Sequence, residues 1–202
     1  AYVVPRALET DEIPGIVEAY RRGAQLAQEA GFDGVEVHGA NGYLLDQFLQ
    51  DSTNHRTDGY GGSLEARARL MLEVVDACVG IWGGGRVGLH LSPRGDAHTM
   101  GDSDPATTFN YVARAARRRG LAFICAREHE GADSLGPQLK ESFGGVYIAN
   151  EGFTRESAEA AIAAGRADAV AFGVPYIANP DLVRRFALNA PLNTPDTSTF
   201  YA

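Results

Sequence analysis

Apolar positions along this chain switch repeatedly between two periods. Over residues 10–30, Ile13, Ile16, Val17, Tyr20, Ala24 and Leu26 recur near helical spacing, and Gly31 marks the stop. Residues 33–38 then alternate as a short strand. The same rhythm predicts a helix over 63–82, opened by Ser63 with Glu65 close behind, and a strand over 86–92 (RVGLHLS). Helix 105–119, strand 121–126 (LAFICA), helix 134–143 and strand 145–150 (GVYIAN) follow. Helix 155–164, strand 168–172 (DAVAF) and a closing helix near 180–189 complete the series. No linker, low-complexity stretch or tandem repeat interrupts it.

The five predicted strands are short and rich in Val, Ile, Leu and Ala, as strands of a buried parallel sheet must be. Strands alternating with helices imply an α/β fold with right-handed crossovers. Each strand except the last enters a polar loop before its helix, and such fold classes place their sites in those loops. A whole eight-stranded barrel takes about 250 residues. Five strands in 202 residues are therefore either an open sheet or part of a barrel.

Composition narrows the partners. Hydrophobic residues make up 45% of the chain, yet no apolar run approaches the roughly 20 residues that span a bilayer. The formal charge of −8 argues against nucleic acid as a partner. Arg114, Arg117, Arg118 and Arg119 cluster near a predicted helix end, where cations suit the helix dipole. Cys78 and Cys125 fall in apolar patterns and are expected to be reduced, buried residues of a cytoplasmic protein. The opening AYVVPRALETDE lacks a signal-peptide layout and an initiator Met, so the sequence is expected to begin inside a longer chain.

The stretch "GFDGVEVHGANGYLLDQF" stands out because His38, Asn41 and Tyr43 crowd one strand end, with glycines between them. Taken singly, each has an ordinary explanation: a core histidine, an Asx turn, a rim aromatic. Together with the following "NHRTDGYGGSLEARARL", the stretch closely resembles the old yellow enzyme family of FMN-dependent ene-reductases. "DAVAFGVPYIANPDLVRRF" and "PLNTPDTSTFY" resemble that family's final strand and tail. The resemblance implies a partial TIM (β/α)8 barrel. Residues 1–202 would form one incomplete domain, strands four to eight, lacking the N-terminal strands.

The resemblance also implies roles. His38 and Asn41 would hydrogen-bond the carbonyl or nitro oxygen of an enone, nitroalkene or nitro ester, and Tyr43 would protonate the α-carbon. Two donors on one oxygen stabilise the enolate-like charge formed as hydride reaches the β-carbon. A phenol with pKa about 10 can protonate a carbon acid weaker still. The implied cofactor is FMN, with NADH or NADPH as reductant.

On the flavin side the chain departs from the family pattern three times. The usual arginine under the pyrimidine edge is His90, a phosphate-loop glycine is Glu151, and an arginine after Phe-Gly is Val174. Losing a guanidinium fork and gaining a carboxylate should weaken anion binding. The backbone around Gly152, Phe153, Gly173 and Val174 would still cradle a phosphate, with Arg94 or Arg127 supplying replacement charge.

Other polar residues carry blander readings. Asp46 and Gln47 brace the turn, and Arg56, Asp58 and Tyr60-Gly61-Gly62 form scaffold. His98 and His129, near Asp96, Asp102, Glu128 and Glu130, follow no metal-ligand spacing and are expected to be solvated loop residues. Two further readings compete with the reductase. One is a non-catalytic half-barrel that self-associates or pairs with the missing half; the other is a metal-dependent or phosphate-binding barrel enzyme.

Overall fold

The computed structural model describes residues 5–95 and 99–200. Its centre is a five-stranded, all-parallel sheet in the order β1-β2-β3-β4-β5. The strands are β1 (Val35–Gly39), β2 (Val87–Leu91), β3 (Phe123–Arg127), β4 (Val146–Asn150) and β5 (Ala169–Ala171). Helices α1 (Ile13–Glu29), α2 (Leu44–Leu49), α3 (Leu64–Trp82) and α4 (Pro105–Arg118) belong to the first half. The second half adds α5 (Gly136–Phe143), α6 (Arg155–Ala163), α7 (Val174–Ala178) and α8 (Leu182–Leu188). Strand order that follows chain order without reversal is the neighbour pattern of a (β/α) barrel; a doubly wound sheet reverses at a switch point. The fold is α/β, part of such a barrel.

Helix ends obey their local chemistry. The Ser63 hydroxyl accepts from the Ala66 N–H (3.3 Å), and Asp104 accepts from Thr107 (3.1 Å) with Pro105 in the first turn. Thr154 and Ser157 cap α6 reciprocally. Arg117 and Arg118 lie in the last turn of α4, and Arg119 pairs with Asp76 at 2.6 Å. The two short helices α2 and α7 have no counterpart in the predicted series. Six and five residues are too few to display a period.

Alternation along the strands separates two faces. Val37, Val87, Leu89, Leu91, Ile124, Ala126, Tyr147 and Ala149 point to the helices and join Leu70, Met71, Val74, Phe109, Val112 and Leu139 in the core. On the opposite face stand Glu36, His38, His90, Phe123, Cys125, Arg127, Ile148 and Asn150. That face is the barrel lumen. Gly88 belongs to it too, and a methyl there would meet the Phe123 ring at 2.2 Å, so the glycine makes room for its register partner.

Both cysteines are free and buried. No helix among the described residues is long and apolar enough to cross a membrane. Asp96 and His98 lie outside the described residues. Asp102 faces Arg67 at 3.5 Å and accepts from the Thr108 hydroxyl at 2.9 Å, which is a structural task. Buried Glu128 accepts N–H bonds from Leu135 and Gly136 at the start of α5, so it too serves the fold.

Candidate active site

The carboxyl ends of β1, β2, β3 and β4 bring most of the predicted site residues into one region. His38 is the fourth residue of β1 and lies beside His90 of β2 in register. The two rings meet edge to face, with centroids 5.4 Å apart and planes at 78°. Tyr43, at the N-cap of α2, sits on the other side of His38 with centroids also 5.4 Å apart. The Tyr43 ring is exposed.

Asn41 adopts φ +59°, the left-handed region that Asn tolerates better than other non-glycine residues. A small network holds this turn. The Asn41 N–H donates to Ser92 Oγ (2.7 Å), and the Gly42 N–H to Asp46 Oδ2 (3.0 Å). The Ser92 hydroxyl donates to the same Asp46 oxygen (3.1 Å), and Gln50 Nε2 to the other (2.7 Å). Asp46 is wholly buried. Burial raises its pKa, opposed by these hydrogen bonds. The bracing role read for Asp46 is therefore literal: it is the hub of the turn. Gln47 contributes a bond from its amide to the Gly42 carbonyl.

The Asn41 side chain is also held. Arg127 Nη1 donates to Asn41 Oδ1 at 3.1 Å, across the β2 strand. Arg127 is the last residue of β3, in the lumen layer, and not a surface arginine past the strand. Its remaining guanidinium nitrogens engage the Glu151 carboxylate, Nη2 at 3.0 Å. Arg94 is committed elsewhere, to Glu128 (2.8 Å) and Asp133 (2.5 Å), and so does not supply the replacement charge for a phosphate.

The expected cofactor residues divide in two. Glu151, Gly152, Phe153, Gly173 and Val174 line one cleft of about 270 Å³ between the ends of β4 and β5, together with Arg127. Glu151 has φ +95° and Gly152 +75°, so the β4 loop turns through a conformation natural to glycine but strained for a glutamate. His90 stands apart from this cleft, in the lumen. Its Nε2 is buried without a hydrogen-bond partner. Burial, followed by the neighbouring His38 and Arg127 charges, lowers its pKa to about 4. The imidazole is therefore neutral near pH 7, and its 3.8 Å approach to Glu36 is not an ion pair there.

One grouping escaped the sequence reading. Glu36, His90 and Cys125 bring a carboxylate, an imidazole and a thiol within 4.8 Å of one another. They come from three strands far apart in sequence, and only the register His38↔His90↔Cys125 reveals the neighbourhood. Burial pushes the Cys125 thiol up to about 12, so it stays protonated.

This geometry suits a flat, polar-edged ring lying in the lumen. The orphaned His90 nitrogen would meet the ring's edge, and the β4–β5 cleft would take an extended tail. The tail cleft fits in shape and backbone. In charge it is balanced, since its cation already faces Glu151.

Known proteins resemble this chain in sequence and in backbone fold. The chain is 47% identical to 12-oxophytodienoate reductase 1 of Oryza sativa subsp. japonica over 99% of its own length, and 46% identical to 12-oxophytodienoate reductase 2 of Arabidopsis thaliana, also over 99%. It covers 55% and 56% of those two proteins, so it spans about half the length of the curated relatives it matches. Among solved structures, morphinone reductase in complex with tetrahydroNAD superposes with a TM-score of 0.94 at 50% identity, over 98% of this chain and 55% of that one. The old yellow enzyme homologue of Zymomonas mobilis gives 0.95 at 41% identity, over 100% and 59%. The sequence pattern of one family runs through residues 1–193, which takes in every strand and all the site residues above, and the chain accordingly belongs to the NADH:flavin oxidoreductase / NADH oxidase family.

Proposed function

We propose that this chain carries the acceptor-binding part of an FMN-dependent ene-reductase, with residues 1–202 belonging to one (β/α) barrel domain. The observation that carries the reading is the His38–Asn41–Tyr43 constellation, gathered at the carboxyl end of β1 and braced by Asp46. Its substrates are small enones, nitroalkenes or nitro esters. Nucleic acid and membrane are not among its partners, and its place is the cytoplasm.

When bound, FMN supplies hydride obtained from NADH or NADPH. His90 Nε2 would meet the flavin's pyrimidine edge. The backbone of Gly152, Phe153, Gly173 and Val174 would surround its phosphate, with Glu151 and Arg127 at the rim. His38 and Asn41 Nδ2 bind the acceptor oxygen and draw charge onto it, which lowers the barrier to attack at the β-carbon. Tyr43 holds a phenolic proton beside His38 for delivery to the α-carbon. The buried network under Asn41 keeps the two donors in place without reorganisation at the moment of reaction.

Purified chain supplemented with FMN tests this. A retained flavin absorption band, with anaerobic consumption of NADH or NADPH beyond one equivalent per flavin only when a cyclic enone is added, supports the reductase. Colourless protein that takes up no FMN favours the non-catalytic reading below instead.

A second reading rests on the sheet ends. β1 and β5 terminate the strand order, and beside β1 an apolar cleft of about 390 Å³ is lined by Tyr20, Ala24, Val35, Val37 and Cys78. Among the described residues each of these two strands has a single strand neighbour, and a parallel edge left open favours association. In this reading the chain is a non-catalytic half-barrel that pairs with a copy of itself or with a chain supplying the missing strands. Sedimentation would report the former as a dimer.

A further inference from the structure

Asn41 presents its amide to the acceptor oxygen only if something fixes which end of that amide faces inward. The guanidinium of Arg127 does so. It carries five donors and no acceptor, so its 3.1 Å bond from Nη1 must engage Asn41 Oδ1 and leave Nδ2 as the donor. Arg127 in turn is gripped by Glu151 through Nε and Nη2, the latter at 3.0 Å. Both side chains are more than half buried, which dampens solvent screening of the pair.

Glu151 reaches this position at a conformational cost. Its φ of +95° is one that a side-chain-bearing residue rarely adopts, and such strain persists where surrounding contacts over-determine it. The contact present is the two-pronged grip on Arg127. His129 Nε2 lies 3.5 Å from Glu151 Oε1 but is largely exposed and adds little constraint. The pair also spans the site: Glu151 borders the β4–β5 cleft, whereas Asn41 belongs to the acceptor side.

We propose that Glu151 and Arg127 are a positioning pair for Asn41, linking the phosphate end of the cleft to the acceptor-oxygen donor through one carboxylate, one guanidinium and one amide. A consequence follows for ligand choice, resting on the flavin reading above. Arg127 is the cation lining that cleft among the described residues, and Glu151 balances it. The tail of a flavin therefore meets a neutral floor, and the chain should distinguish FMN from riboflavin only weakly.

Two measurements on the full chain test this. The first follows the Asn41 side-chain amide by ¹H–¹⁵N NMR, assigned by its loss in Asn41→Asp. It should shift in Arg127→Ala and in the isosteric Glu151→Gln, but not in Arg21→Ala, which removes the exposed Arg21–Glu18 pair of α1. Arg127→Lys, which keeps the charge and removes the fork, replaces the alanine variant if that fails to fold. An Asn41 amide unmoved by loss of the fork overturns the positioning pair.

The second titrates FMN and riboflavin by flavin fluorescence. Wild type should bind both within about threefold, and Glu151→Gly should favour FMN by about tenfold, the worth of one charge-assisted phosphate contact. The added Arg127→Ala should abolish that gain. An unchanged ratio in Glu151→Gly overturns the neutral floor. Shifted Asn41 signals with neither flavin bound would instead sink the reductase reading while leaving the positioning pair standing.

Discussion

His38 and His90 face each other across the β1–β2 pair, rings 5.4 Å apart and at 78°. His90 is the more buried of the two, and its pKa is lowered to about 4, chiefly by desolvation. An unfolded chain binds that proton near the ordinary histidine value of about 6.5. Between these values the unfolded state holds more protons, so this contribution is present in full above pH about 6.5. It is lost as pH falls toward about 4, to the extent of about 3 kcal/mol. Urea unfolding from pH 7 to 4.5 should show wild type losing more stability than His90→Gln. Parallel pH profiles would refute the assignment.

Tyr43 is exposed beside His38, and in the proposed reductase it is the proton donor to bound substrate. Tyr43→Phe should slow enone reduction by about 10²-fold or more, the usual worth of a general acid. Flavin reduction by NADH or NADPH should change little, because that half-reaction needs no proton from the phenol. Stopped-flow measurement of the two half-reactions separates them. Equal losses in both would remove Tyr43 from the proton-donor role.

Asp46 accepts hydrogen bonds from Gly42, Ser92 and Gln50 while wholly buried. Asp46→Ala strands those donors, for a cost of about 2–4 kcal/mol in urea unfolding. Because the same network holds the Asn41 turn, the acceptor KM should rise as well. Stability loss with an unchanged KM would confine Asp46 to the fold.

Gly61 lies where the Arg56–Asp58 loop folds back on itself. A methyl at this position would sit 2.2 Å from the Arg56 carbonyl oxygen, a backbone atom that cannot step aside. Around it Arg56 clasps Asp58 at 2.6 Å, and Asn54 Nδ2 donates to the Tyr60 carbonyl at 2.8 Å. Gly61→Ala should cost about 1–3 kcal/mol through overpacking. Thermal unfolding checks the loss, and an undiminished melting temperature would show that the loop has slack.

How far the site was legible depends on the range of each signal. His38, Asn41 and Tyr43 fall within six residues, so their grouping at a strand end needs only the local pattern. Gly152, Phe153, Gly173 and Val174 required only that β4 and β5 be neighbours, which an α/β alternation implies. Arg127 was another matter. Its partners Asn41 and Glu151 lie 86 and 24 residues away, and it stands one residue past the predicted strand end. Glu151 read as a repulsive carboxylate because its cation was not identifiable in one dimension.

The sequence by itself determined the strand–helix alternation, the helix caps and the residue types at the end of β1. These depend on periodicity, propensity and turn chemistry, which act over a few residues. Tertiary structure alone decided that Asp46 is the hub beneath Asn41 and that Arg94 is spent on Glu128. It also decided that Arg127 bridges Glu151 to Asn41. Those outcomes depend on strand register and lumen-facing layers, where side chains distant in sequence compete for the same partners, and only the folded sheet settles which pairs meet.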